Sequence, residues 1–205
     1  MAQARRRLSP GKSEPSDART RILDAAVDQL RRHGPAKTGV VDVARALGIS
    51  HAAVYRYFAS KDELFDAVAE RWLTAVSLQL ESVAARRSSA VKRLDAWLTE
   101  LFAIKRRKVT DDRELFETYR AIAEAARDVV ATHVAKLHRQ ASTIIADGIA
   151  SKEFRVKNAD EAAATVLDAT ARFLHPHLLL ERPRDPEAER RVIRLVLAGL
   201  SAGDI

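Results

Sequence analysis

The chain of 205 residues contains no cysteine, which excludes disulfide staples, thiolate zinc sites and thiol-based redox sensing. Glycine and proline are scarce, at 7 and 6, and few stretches alternate polar with apolar residues as a half-buried strand would. With 47% apolar residues, these absences point to helices around a core. No apolar run reaches the roughly 18 residues of a membrane span, and the arginine-rich start leads into Ser, Pro and Gly rather than an apolar stretch. Neither a membrane span nor a signal peptide is therefore expected, and a cytoplasmic location is. Nor is there a paired-carboxylate site, a nucleophile elbow, a Gly-rich phosphate loop or a Ser-His-Asp order. His133 and His138 lack the i, i+4 spacing that aligns two imidazoles on one helix face, and His175 and His177 flank a proline. No catalysis, metal site or cofactor is expected.

What is present is positive charge, and it is concentrated. Residues 1–61 hold 12 Lys and Arg against 5 Asp and Glu, while residues 62–205 hold 23 of each. The whole formal excess of +7 sits in the first third of the chain. Such a patch concentrates phosphate backbones and releases counterions on binding.

Within that basic third, Val40, Val43, Ala44 and Leu47 fall at i, i+3, i+4 and i+7, the inward stripe of a short helix. Gly48 supplies a left-handed residue at its end, after which Ile49 is expected to drop back into the core. Ser50 is an N-cap for a second helix, His51 to Phe58, with Val54 and Phe58 facing inward. His51, Ala52, Ala53, Tyr55 and Arg56 are then left outside, small near the start and hydrogen-bonding further on. In a helix-turn-helix the start of the second helix enters the major groove, so His51, Ala52 and Ala53 would meet bases while Tyr55, Arg56 and Tyr57 reach bases or flanking phosphates.

At these residues the chain resembles the TetR family of transcriptional regulators. The resemblance rests on Thr38, on Ala44 to Ser50, on Val54-Tyr55-Arg56-Tyr57-Phe58 and on Ser60-Lys61-Asp62-Glu63-Leu64, within roughly Thr20 to Trp72. Gly39 stands where the family often has a second capping Thr, and Val41 where many members carry a basic residue. The resemblance implies that Lys61, at the start of the next helix, contacts the DNA backbone, where the helix dipole already favours a phosphate. The DNA-contacting set is then Thr38, Gly39, Ser50, His51, Ala52, Ala53, Tyr55, Arg56, Tyr57 and Lys61.

The remaining elements are legible from their punctuation. Residues 1–16, with Arg5-Arg6-Arg7 and no apolar periodicity, read as a disordered basic arm. A first helix spans about 17–33 and stops at Gly34-Pro35. Ser60 and Glu63 form a capping box for a long helix reaching about Arg86, roughly 40 Å at ~1.5 Å per residue. A fifth helix spans about 90–108, its Lys105-Arg106-Arg107-Lys108 end suiting a helix C-terminus. Thr110 is expected to cap the next, and a further helix covers about 127–150. Asn158 opens a helix running to Leu180 with a kink at Pro176, and Asp185-Pro186-Glu187 starts the last.

Two apolar helices in succession at the end of the chain suit packing on each other and on a second copy. The TetR resemblance implies a homodimer through these last two helices and a small-molecule effector in a cavity among the middle helices. Trp97, Phe116, Tyr119, His133, Leu137, Phe173 and His177 combine aromatic bulk with a few polar tips and are the candidate lining. No Lys or Arg stands out on those inward faces, which argues against a strongly anionic ligand.

The expected architecture is thus all-α. A three-helix DNA-binding domain at 17–62 is joined by a long helix to a helical effector-binding and dimerisation domain at 63–205. The function expected is a dimeric repressor released from a palindromic double-stranded operator by an unknown effector. The rivals are a ligand-independent architectural DNA-binding dimer and a metal-binding or enzymatic helical bundle.

Overall fold

A computed structural model describes residues 15–111, 113–181 and 185–204. Among them every regular element is helical. In chain order these are α1 (Pro15–Lys37), α2 (Val40–Leu47), α3 (His51–Tyr55), α4 (Lys61–Ala84), α5 (Ala90–Asp111), α6 (Arg113–Ala125), α7 (Arg127–Ala150), α8 (Ala159–Thr170), a 3₁₀ turn (Ala171–Phe173), α9 (Pro176–Glu181) and α10 (Pro186–Ala202). The chain divides into two compact units between Leu64 and Phe65. None of the described helices is long and apolar enough to cross a membrane. The expected basic arm lies almost entirely outside the described residues.

In the first unit, Ile22, Leu23, Ala26 and Leu30 of α1 are buried, as are Val40, Val43 and Ala44 of α2 and Val54 and Phe58 of the motif's second half. Of the α2 stripe read from the spacing, Leu47 is only half-buried. α1 is broken at Gly34, whose φ of 71° ends the regular helix before Pro35. Gly48, at φ 66°, closes α2, and the Ile49 N–H turns back to the Ala44 carbonyl at 3.1 Å. Ile49 itself is a correction: rather than dropping into the core it stays 37% exposed. The second motif helix is also shorter than expected. The N–H groups of Tyr57 and Phe58 both converge on the Val54 carbonyl, at 2.9 and 3.1 Å, so the regular helix ends at Tyr55 and a tightened turn delivers Phe58 inward.

The second unit is built around α5, which packs against α6, α7, α9 and α10, while α8 packs on α7 and α10. Its core includes Leu80, Leu94, Trp97, Leu98, Leu101, Ile144, Ile145, Val166, Val196 and Leu200. Residues 151–156 stitch three helix ends together. The Glu153 carboxylate accepts from the Ala90 and Val91 N–H groups at the start of α5. Phe154 is buried, and the Arg155 N–H donates to the Leu200 carbonyl near the end of α10.

Two boundaries differ from expectation. Thr110 does not cap α6: its hydroxyl donates to the Arg106 and Arg107 carbonyls, and α5 continues through it to Asp111. Pro176 does not kink a long helix either. α8 ends at Thr170, a 3₁₀ turn follows, and Pro176 begins α9. A proline in the first turn forfeits no helical hydrogen bond, whereas one inside a helix would.

Candidate nucleic-acid interface and effector cavity

α3 is set by its cap. The Ser50 hydroxyl accepts from the Ala53 N–H at 3.2 Å, and Val54 is wholly buried one turn on. That fixes the rotation of the helix, so His51, Ala52, Tyr55 and Arg56 are exposed and Ala53 and Tyr57 half-buried. The His51 and Tyr55 rings meet edge to face, with centroids 6.4 Å apart. Small residues at the exposed start of a helix allow close approach to base edges, and the flanking tips can donate or accept hydrogen bonds.

Lys61 is exposed at the start of α4, and its ammonium donates to the Pro35 carbonyl at 3.2 Å. Ser60 accepts from the Glu63 N–H, and the Glu63 carboxylate reaches back to Ala59 rather than to Ser60 itself. Arg19 lies over the Phe58 ring, 4.9 Å from its centroid.

Two expected DNA contacts sit differently. The Thr38 side chain is buried and its hydroxyl donates to the Gly34 carbonyl at 2.8 Å. The Gly39 N–H is taken by the Asp42 carboxylate at 2.9 Å, so at the start of α2 the aspartate occupies a donor that a phosphate would otherwise use. Both residues shape the turn into α2.

In the second unit a cavity of about 560 Å³ opens among α4, α5, α6, α7, α8 and the start of α9. Of the seven expected lining residues it includes His133 and Leu137. Tyr119 stacks on the wall residue Trp72 with centroids 4.5 Å apart, and Phe116 meets the same indole at 6.3 Å. Three expected lining residues are elsewhere. Trp97 is in the core, its indole N–H donating to Gln140 at 3.0 Å. Phe173 packs against Phe102. His177 is on the surface beside Glu181, 3.2 Å away, and its neighbour His175 reaches the cavity instead.

The largest departure is Lys105. It is only 8% exposed and lines the cavity, so the expectation of no inward-facing Lys or Arg is corrected. Burial pulls its ammonium down to about 8. Lys108, with its ammonium 3.9 Å from the Trp72 ring centroid, is pulled to about 7 by burial and then by the like charge of Lys105. His133 is pulled to about 3 by burial, then by Lys105, Lys108 and Lys136. Its Nδ1 is 3.0 Å from the Ser77 hydroxyl. The signal was in the spacing: Leu94, Leu98 and Leu101 alternate steps of four and three, and the next two steps land on Lys105 and Lys108. The run of four basic residues disguised that as a solvated helix end.

These features define an all-helical protein with a helix-turn-helix in one unit and a cavity-bearing helical bundle in the other. Residues 22–68 match the bacterial regulatory proteins of the tetR family, and residues 90–196 match the tetracyclin repressor-like C-terminal domain. The chain belongs to the TetR family. An HTH-type transcriptional repressor of Mycobacterium tuberculosis is 36% identical over 83 residues, covering 40% of this chain and 43% of that one. The chain thus spans less than half the length of the curated relatives it matches. The transcriptional regulator FadR of Bacillus subtilis, solved with stearoyl-CoA, superposes with a TM-score of 0.67 at 17% identity over 88% of this chain and 98% of its own. RolR, solved with resorcinol, does so with a TM-score of 0.62 at 18% identity over 91% and 90%.

Proposed function

We propose that the protein is a homodimeric repressor of transcription that grips a palindromic operator with two copies of α3 and releases it when a small molecule fills the cavity. One observation carries the reading: buried Val54 and Phe58 lock a Ser50-capped helix so that His51, Ala52, Tyr55 and Arg56 stand outside it. In this reading His51, Ala52 and Ala53 approach base edges, Tyr55, Arg56 and Tyr57 reach bases or phosphates, and Lys61 holds the backbone. The two half-sites lie about one helical turn apart, ~34 Å, or a multiple of it.

Two proteins of this fold were solved with a small molecule bound, which supports an effector site here. The effector acts by linkage. It loosens DNA only to the extent that it binds the DNA-free conformation more tightly, a coupling of about 1–3 kcal/mol. α4 is the natural transmitter, since one helix carries both Lys61 at its start and the cavity residues Trp72 and Leu73.

Footprinting the DNA upstream of the protein's own gene, with and without candidate compounds, tests the reading. Affinity is expected to fall steeply with salt, and Lys61→Ala to reduce the salt slope by about 1. Binding indifferent to ionic strength would overturn the proposal.

A further inference from the structure

The cavity wall carries more positive character than the fold requires. Lys105 makes no hydrogen bond or ion pair with any described residue, although it is almost wholly buried. Two further cavity residues hold a buried nitrogen without a partner, Nε of Arg120 and Nε2 of His133. Arg120 also holds Glu124 at 2.6 Å, which occupies one of the two carboxylates on the lining. The other, Asp168, makes no ion pair with Lys105. Unpaired buried charge is costly, and a protein that keeps it in a cavity gains when an anion arrives to neutralise it. Around these nitrogens the surface is aliphatic: Leu73, Val130, Val134, Leu137, Leu167 and Leu174.

We infer that the cavity takes an amphipathic organic monocarboxylate, its carboxylate held at Lys105 with Arg120 and His133 beside it and its apolar body laid against Leu137 and Val134. The inference rests on the effector reading above and names the chemical class of the effector. His133 is neutral, and the Ser77 hydroxyl lies 3.0 Å from its Nδ1 and 3.3 Å from the Leu73 carbonyl: in the tautomer in which that hydroxyl donates to Nδ1 rather than to Leu73, the Nε2 N–H can donate a hydrogen bond to a carboxylate oxygen. Gln140 braces this arrangement, accepting from Trp97 and donating to the Ser77 carbonyl at 2.9 Å. Lys108, over the Trp72 ring, adds positive potential without needing contact. A cavity of this volume falls within the usual range for small-molecule sites.

The test is calorimetric titration of the full-length protein with decanoate, with 4-phenylbutyrate and with decanamide, which keeps the chain of decanoate but not its charge. Charge-assisted hydrogen bonds from buried donors should make decanoate bind about 10- to 100-fold more tightly than decanamide. Lys105→Met should reduce that preference to about threefold or less, with a ligand-free melting temperature no lower than wild type, because it removes an unpaired buried charge. Lys105→Arg, which keeps the charge, should retain the preference. Decanamide binding as tightly as decanoate to the wild type overturns the inference while leaving an effector of another class open. So does the absence of binding by both carboxylates, or a preference that survives Lys105→Met. Carboxylate binding that leaves operator affinity unchanged has the opposite meaning: the chemical class stands and the effector reading fails.

Discussion

The Glu153 carboxylate caps a helix that begins 63 residues earlier in the chain, accepting from the Ala90 and Val91 N–H groups at 3.1 Å each. The start of α5 lacks an acidic first-turn residue of its own; the Ser89 hydroxyl takes the Lys92 N–H locally, and the two donors before it are satisfied from across the fold. These two backbone bonds, Val91 first, are what hold the Glu153 carboxyl below the usual glutamate range, with Ser151 and Ser89 assisting. A carboxyl depressed in the folded state stabilises above its unfolded pKa, and that contribution is lost as pH falls through the folded value. Glu153→Gln is therefore expected to lower the melting temperature at neutral pH, and the gap to wild type should close as the pH drops below the ordinary glutamate range. Thermal denaturation across pH 3–7, taken as roughly the span of that titration, checks both. A constant gap would show that charge is not involved.

Gly148, inside α7, has no room for a side chain. A Cβ there would lie 2.1 Å from the Phe154 ring and 3.0 Å from the Ala90 Cβ, and Phe154 is itself buried. In an open helix Gly→Ala is favourable by about 1 kcal/mol. Here the ring must move out of a packed core, and Gly148→Ala is expected to destabilise by about 1–3 kcal/mol. A urea midpoint unchanged or raised in the variant would mean that the junction of α5, α7 and the following segment yields easily.

Much of this architecture was legible because periodicity reports packing directly. The stripe of α2 and the caps at Ser50, Asn158 and Asp185 needed only neighbours within one turn to be read, and the structure buries Val40, Val43 and Ala44 and has the three caps. What could not be read depends on distant partners. Glu153 as a cap, the close fit of Gly148 to Phe154 and the inward turn of Lys105 all join residues far apart in sequence. Lys105 is the instructive case, since a charged residue on an apolar stripe breaks the binary pattern, and such breaks tend to fall at functional sites. The bond of Thr38 to the Gly34 carbonyl was not legible either, as a short polar residue at a helix start serves a turn as readily as a ligand.

Thr38 and His51 separate folding from recognition. Thr38→Val keeps the shape but removes the donor to the Gly34 carbonyl, and it is expected to cost about 1 kcal/mol of stability while leaving the preferred DNA sequence unchanged. His51→Ala touches no core contact, since the residue is exposed, and is expected to leave stability within ~0.5 kcal/mol and alter the preferred sequence. Urea denaturation and selection from randomised duplexes measure the two effects. Equal loss on operator and random DNA for His51→Ala would remove it from the set of base readers.

Leu195 is 71% exposed on α10, close in sequence to the exposed Arg191, Arg194 and Ala198. A single exposed leucine is ordinary, but α10 packs on α8 and α5 with its other face, and this face is the one the proposed dimer would use. If the last helices form the dimer, Leu195→Glu places two like charges near the symmetry axis of an isologous interface, where each is repeated by its partner. The variant is expected to sediment as a monomer and to keep the melting behaviour of its own core, because Leu195 contributes little to that core. Operator affinity should then fall about 10²- to 10⁴-fold, the advantage of binding two half-sites at once, while affinity for an isolated half-site stays the same. A Leu195→Glu protein that still sediments as a dimer and holds the full operator would place the interface on another face.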